Sequence, residues 1–175
     1  MSWNDFYRRR EILDSAVRHA RRAPAEPLEL GRIPGATEVF GTEEALLLAL
    51  HHQWSRRLGG HLRTEFAAPE DATADGAGDQ VDAVSRAWRR ALEGHETLRE
   101  LLDGAVERCP ALVPLHEAEL RMLAITAGLV DPGEPRAEVT KVGHAFGALL
   151  RAGDARPVRR RSPIGHLRRL LAPTA

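Results

Sequence analysis

Histidine is the side chain with the most chemistry to offer here: His51, His52, His61, His95, His116, His144 and His166 all titrate near neutral pH when unperturbed. His116 is followed three residues later by Glu119, so a helix would carry both on one face. The stretch reads HEAEL, however, and lacks the second histidine that a zinc-hydrolase helix needs at i+4. His51 and His52 are adjacent, so on a helix they diverge by about 100° and do not readily share a metal. A carboxylate–histidine metal site would have to draw ligands from several helices. Cys109, beside Pro110, is the one cysteine, so no intrachain disulfide exists and no neighbouring base activates it. The nucleophile elbow G-x-S-x-G, the P-loop and G-x-G-x-x-G are all missing. The glycines of Gly76–Gly78 lie in an acidic stretch that would repel phosphate. These observations lead us to expect no enzyme, no cofactor and no bound metal.

Charge is the next candidate. Lys+Arg and Asp+Glu both number 25, so no net field draws the chain towards nucleic acid. Lys141 is the only lysine, and the other cations are arginines. They are unevenly placed. Residues 8–22 hold six arginines against Glu11 and Asp14, and residues 151–169 hold seven against Asp154. Between Glu65 and Asp82 there are six acids and no base. Basic ends around an acidic middle suggest ends that meet an acidic partner.

The elements that must position these groups read as helices. The apolar fraction of 43% supports a core, and only 5% is aromatic, so leucine, alanine and valine do most of the packing. A first helix is predicted from Asn4 to Arg22, with Phe6, Leu13, Ala16, Val17 and Ala20 on its buried stripe. Pro24, Pro27, Gly31, Pro34 and Gly35 then exclude a long helix. Thr42 caps a strong helix carrying ALLLAL, Trp54 and Leu58, which Gly59 and Gly60 end or bend. Further helices are predicted from an Asp79 cap to Leu92, from Leu98 to Val106, from Leu112 to Val130, and from Pro135 to Gly153. Ser162-Pro163 opens a short amphipathic helix with Ile164, Leu167, Leu170 and Leu171. That makes seven, with a further turn at Gly35–Phe40, and no strand. The longest apolar run, Ala45–Leu50, is far below the roughly 20 residues of a membrane span. The opening MSWNDFYRRR has no signal-peptide core, and we expect a cytoplasmic protein without membrane partners.

Two segments, 35 residues together, carry a family likeness. RRREILDSAVRHARR (Arg8–Arg22) resembles the first helix of the TetR family of transcription regulators. VFGTEEALLLALHHQWSRRL (Val39–Leu58) resembles that family's passage from recognition helix to fourth helix, with Phe40 at the aromatic position, Thr42 at the cap and Leu46–Leu48 in the leucine run. Ala87–Glu107 and Leu115–Val130 look like the family's ligand-binding and dimerisation body. The resemblance implies an all-α TetR-like bundle, a homodimer, an apolar effector and duplex DNA as partner. The departures lie between the two segments. The connection APAEPLELGRIPGATEV is about eight residues shorter than the family's, and Pro34-Gly35 leaves little more than one turn where a recognition helix needs two or three. Glu43 stands where the family usually has a phosphate-binding lysine.

The expected division is a reduced helix-turn-helix-like head over 1–45, a ligand-binding and dimerisation body over 46–155, and a basic tail over 156–175. Arg8, Arg9, Arg10, Arg32 and Thr37 are the candidates for contact with DNA or an acidic partner. Trp54, Trp88, Met122 and Phe146 are the candidates for an apolar effector pocket. Arg159, Arg160, Arg161, Leu167 and Leu170 are the candidate partner contacts of the tail. The expected function is that of a non-enzymatic, effector-responsive regulator. The alternative is a helical protein- or ligand-interaction module that has lost DNA binding.

Overall fold

A computed structural model describes residues 3–24, 26–67 and 76–154. Seven α-helices and two short 3-10 turns account for nearly all of them, and the described residues contain no strand. The helices are α1 (Trp3–Arg22), α2 (Ala36–Phe40), α3 (Glu43–Ala67), α4 (Gly76–Leu92), α5 (Glu96–Val106), α6 (Val113–Thr126) and α7 (Arg136–Asp154). The 3-10 turns, Leu30–Arg32 and Pro110–Leu112, precede α2 and α6.

The fold is built around α3. Leu46, Leu47, Leu50, Trp54 and Leu58 are all buried, so α3 serves as the shared wall for α1, α4 and α5. Trp54 and Trp88 of α4 meet edge to face with centroids 5.4 Å apart. Such a pair adds roughly 0.5–1.5 kcal/mol to its burial. Thr42 caps α3 as its sequence predicts: Ala45 N donates to Thr42 Oγ1 over 3.1 Å. One continuous core joins Ile12 and Ala16 of α1 to Leu46–Leu62, Trp88, Leu102 and Phe146, and so crosses the expected head–body border at residue 45.

Five expectations change. Phe6, expected on the buried stripe of α1, is 50% exposed, and Ile12 is buried with Ala16 and Ala20 instead. Gly59 and Gly60 neither end α3 nor divide it; the helix continues to Ala67. Each glycine costs about 1 kcal/mol in a helix interior. Burial of Leu58 and Leu62 on either side, and the grip of Arg86 and Arg90 on Glu65 at 2.9 and 2.6 Å, hold the last turns to α4. The stretch Leu112–Val130 is shorter as a helix than its apolar pattern suggests. Gly128, at φ +67, stops it, and Leu129 N reaches back to Ala124 O at 3.0 Å in a Schellman closure. Helix α4 begins at Gly76, so Asp79 lies within it rather than before it. The seventh helix is α2, while the amphipathic segment after Ser162 lies outside the described residues.

The proline-rich connection lies against α1. Leu28, Ile33, Ala36 and Phe40 are buried in the same core as Ile12 and Ala16. Gly35 makes the turn into α2 at φ +76, with Ile12 beside it. Helices α6 and α7 share an extensive contact. A Cβ on Gly143 would stand 2.8 Å from the backbone of Leu120, so only glycine permits that approach.

Candidate functional site

Helix α6 divides its side chains in a way that helical spacing explains. Leu120, Leu123 and Ala124 enter the core, whereas Leu115, Ala118 and Met122 stay on the outer face. Glu119 also turns inward and is 6% exposed. On the facing side, α3 presents Leu48, His51, Ser55 and Leu58. Between the two helices lies a cleft of about 470 Å³, with Leu115 and Met122 on its α6 wall and His51 and Glu119 at its floor.

Behind that floor is a buried ionic network. Arg99 of α5, 4% exposed, lies against both rings of the Trp54–Trp88 pair, its guanidinium carbon 5.3 and 5.6 Å from their centroids. Cation–π contacts of this kind strengthen when desolvated. Arg99 donates to Glu119 Oε1 at 2.7 Å and to Asp103, and its Nη2 lies 3.3 Å from His116 Nδ1. On the cleft side, Glu119 Oε2 lies 3.9 Å from His51 Nε2. His51 Nδ1 in turn is 3.3 Å from Ser55 Oγ.

Burial sets the electrostatics of this cluster. Removal from water pushes the Glu119 carboxyl above its ordinary pKa, against the opposing charge and hydrogen bond of Arg99. Burial works against the Arg99 charge too, but Asp103 and Glu119 outweigh it and raise the guanidinium above the usual arginine value. Burial and the charge of Arg99 lower His51, and the same two causes lower His116 to about 4. Both imidazoles are therefore neutral at physiological pH.

Three atoms around the floor are buried without a hydrogen-bond partner: His51 Nε2, Trp54 Nε1 and Glu119 Oε2. Trp54 stands close enough to favour the charged form of Glu119, yet neither its Nε1 nor Glu119 Oε2 completes a hydrogen bond. Unsatisfied buried groups cost about 1–3 kcal/mol each, and these converge beneath an apolar cleft. A hydroxyl or amine placed at the floor faces Glu119 and His51, while Trp54 Nε1 lies behind them and does not line the cleft. The walls above it suit a hydrocarbon body.

Met122 is the one expected pocket residue that lines this cleft. Trp54 and Trp88 are 0% and 1% exposed because they fill the core against each other. Trp88 and Phe146 instead border a separate groove of about 270 Å³ between α4 and α7. The four residues therefore do not share one cavity. Sequence reading missed His51, Ser55, Arg99 and Glu119 as a set. The pair His116 and Glu119 on one helical face was the available signal, and its meeting point is Arg99 rather than a metal. Among the described residues no group of three or more His, Cys, Asp or Glu side chains is placed to hold a metal ion. Cys109 is a free, buried thiol within the core.

The arginines expected to face an acidic partner have separate fates. Arg8 pairs with Glu38 of α2. Arg9 lies over the Phe40 ring at 4.7 Å, and Arg32 is held by Glu26 at 2.5 Å and Glu29 at 2.9 Å. Arg10 lines a different groove, together with Arg56. Thr37 is exposed on α2, which has five residues. Arg159, Arg160, Arg161, Leu167 and Leu170 lie outside the described residues. No helix among the described residues is long and apolar enough to cross a membrane. In comparisons with protein families, with characterised proteins and with solved structures, nothing matches this chain.

Proposed function

We propose that this chain is a non-enzymatic ligand-binding module whose site is the cleft between α3 and α6. Its ligand is a small amphipathic molecule with a hydrocarbon body and a hydrogen-bonding end. The observation that carries this reading is the pair His51 Nε2 and Glu119 Oε2, 3.9 Å apart and each buried without a hydrogen bond, under the apolar walls of Leu115 and Met122. A water molecule alone would satisfy the polar atoms and leave Leu115 and Met122, 38% and 37% exposed, facing solvent. A ligand with both characters satisfies the atoms and covers the walls. This is the ligand-interaction alternative drawn from the sequence, in a body of the regulator kind that the TetR resemblance suggests. Duplex DNA has less support as a partner. Recognition of base edges needs a rigid helix of two or three turns, whereas α2 has five residues and Arg8 and Arg32 already have carboxylate partners.

Titration with a homologous series of primary alkanols tests the reading, with tryptophan fluorescence and melting temperature as readouts. We expect saturable binding that strengthens with chain length until the cleft is filled. Met122→Trp should abolish it by filling the space, and Glu119→Gln should weaken it by about tenfold, the scale of one charge-assisted hydrogen bond. Absence of any saturable response in the wild type, or full binding by Met122→Trp, would overturn the proposal.

A further inference from the structure

A second concavity of about 650 Å³ lies on the next face of α3, and its chemistry is opposite in sign. Two helical stripes face each other across it. Helix α1 contributes Phe6, Arg9, Arg10 and Leu13, spaced i, i+3, i+4 and i+7. Helix α3 contributes Ala49, Gln53, Arg56 and Arg57 at the same kind of spacing, and His95, just before α5, and Leu98 of α5 close the end. His52 stands on the ridge of α3 and borders both this groove and the first cleft.

Four arginines line the groove, and its lining includes no aspartate or glutamate. Two of the four are fixed in place. Arg57 donates to the carbonyls of Ala91 at 2.8 Å and Glu93 at 3.3 Å, at the end of α4. Arg9 is laid over Phe40. Arg10 and Arg56 have no carboxylate partner among the described residues, although the chain carries as many acids as bases. Gln53 adds an independent sign of a missing partner, since its Oε1 is buried without a hydrogen bond. Rotation of that amide would present an N–H donor at the same place. Apart from His52 and His95 the remaining lining is apolar, and Phe6 is 50% exposed at the mouth.

We propose that this groove is a second binding site, for a free organic anion. Arg10 and Arg56 clamp one phosphate, sulfonate or carboxylate group, Gln53 donates to it, and Phe6 and Leu13 cover an apolar body. Guanidinium groups suit such acceptors because they offer forked, charge-assisted hydrogen bonds. A concave site with apolar walls fits a small amphipathic anion. A duplex presents its phosphates on a convex backbone and would leave Phe6 and Leu13 without apolar partners. The site stands apart from the α3–α6 cleft and requires no ligand there.

The probe is anilinonaphthalene sulfonate, an aromatic anion whose fluorescence rises in apolar surroundings. The full chain should bind it saturably, and the double variant Arg10→Gln with Arg56→Gln should bind it about tenfold or more weakly. Arg63→Gln, an exposed arginine of α3 outside the groove, should bind like the wild type, as should Met122→Trp in the other cleft. Decyl phosphate should displace the probe where decanol does not. Unchanged affinity in the double variant would overturn the proposal, and so would equal displacement by decanol. Displacement by a short DNA duplex at lower concentration than decyl phosphate would also overturn it, and would assign the groove to nucleic acid.

Discussion

At the scale of single residues, the decisive feature is a charge placed where charges are costly. Arg99 is tolerated in the core because Glu119, Asp103 and two indole rings surround it. Taking away one partner of such a pair costs about 3–5 kcal/mol, whereas replacing both by apolar groups is often neutral. We therefore expect Arg99→Met to lower the urea midpoint severely, and Arg99→Met with Glu119→Leu to recover much of the loss. A double variant as unstable as the single one would mean that the network is not the cause. The same cluster sets the pH response. His116 is depressed from 6.5 to about 4 and His51 is lowered as well, so the unfolded chain takes up protons that the native state refuses. The contribution of each is present above about pH 6.5 and is lost as pH falls through its native value, which is about 4 for His116. Glu119 has the opposite sign. Its raised pKa favours the native state below 4.5, and that contribution is lost as pH rises through the native value. His116→Gln should thus flatten the acid loss of stability between pH 6.5 and 4, as read by urea midpoints at each pH. An unaltered slope in His116→Gln would count against this assignment.

At the scale of elements, two glycines hold the arrangement. Gly143 lets α7 approach α6 until a methyl group would meet the Leu120 backbone. Gly143→Ala should destabilise the chain by roughly 1–3 kcal/mol, the usual cost of overpacking, and should shift the α6 wall of the cleft. Gly35 starts α2 in the left-handed region, where a side chain costs about 1–2 kcal/mol. Gly35→Ala should lower stability by that amount, measured by thermal or urea unfolding, while leaving the α3–α6 cleft able to bind. These two positions differ in legibility. The breaker role of Gly35 was visible from its neighbours Pro34 and Gly31. Gly143 sits inside a helical pattern, and its reason is a neighbouring backbone that no local reading contains.

At the scale of the whole molecule, the head and body share one core, so stability should be lost in a single cooperative transition. Separate transitions for the head and the body in calorimetry would contradict that. A mobility shift with duplex DNA at about 50 mM salt, where backbone contacts are strongest, should show no complex. The proposed ligand sites both lie along α3, one on each of two adjoining faces, and His52 separates them.

What the sequence determined by itself is the α-helical class, the cap at Thr42, the broken connection after α1 and the helix that Pro135 opens. These follow from periodicity, caps and breakers within a few residues of one another, the range over which helical hydrogen bonds act. Tertiary structure alone decided that Trp54 and Trp88 pack against each other in the core and share no cavity with Met122, and that Gly59 and Gly60 lie inside a continuous helix. It also decided that His51, Arg99 and Glu119, from three different helices, meet at one cleft floor. Their meeting depends on which helix faces pack together, and burial together with the charges brought beside them shifts their pKa values. Neither quantity is defined until distant parts of the chain have come together.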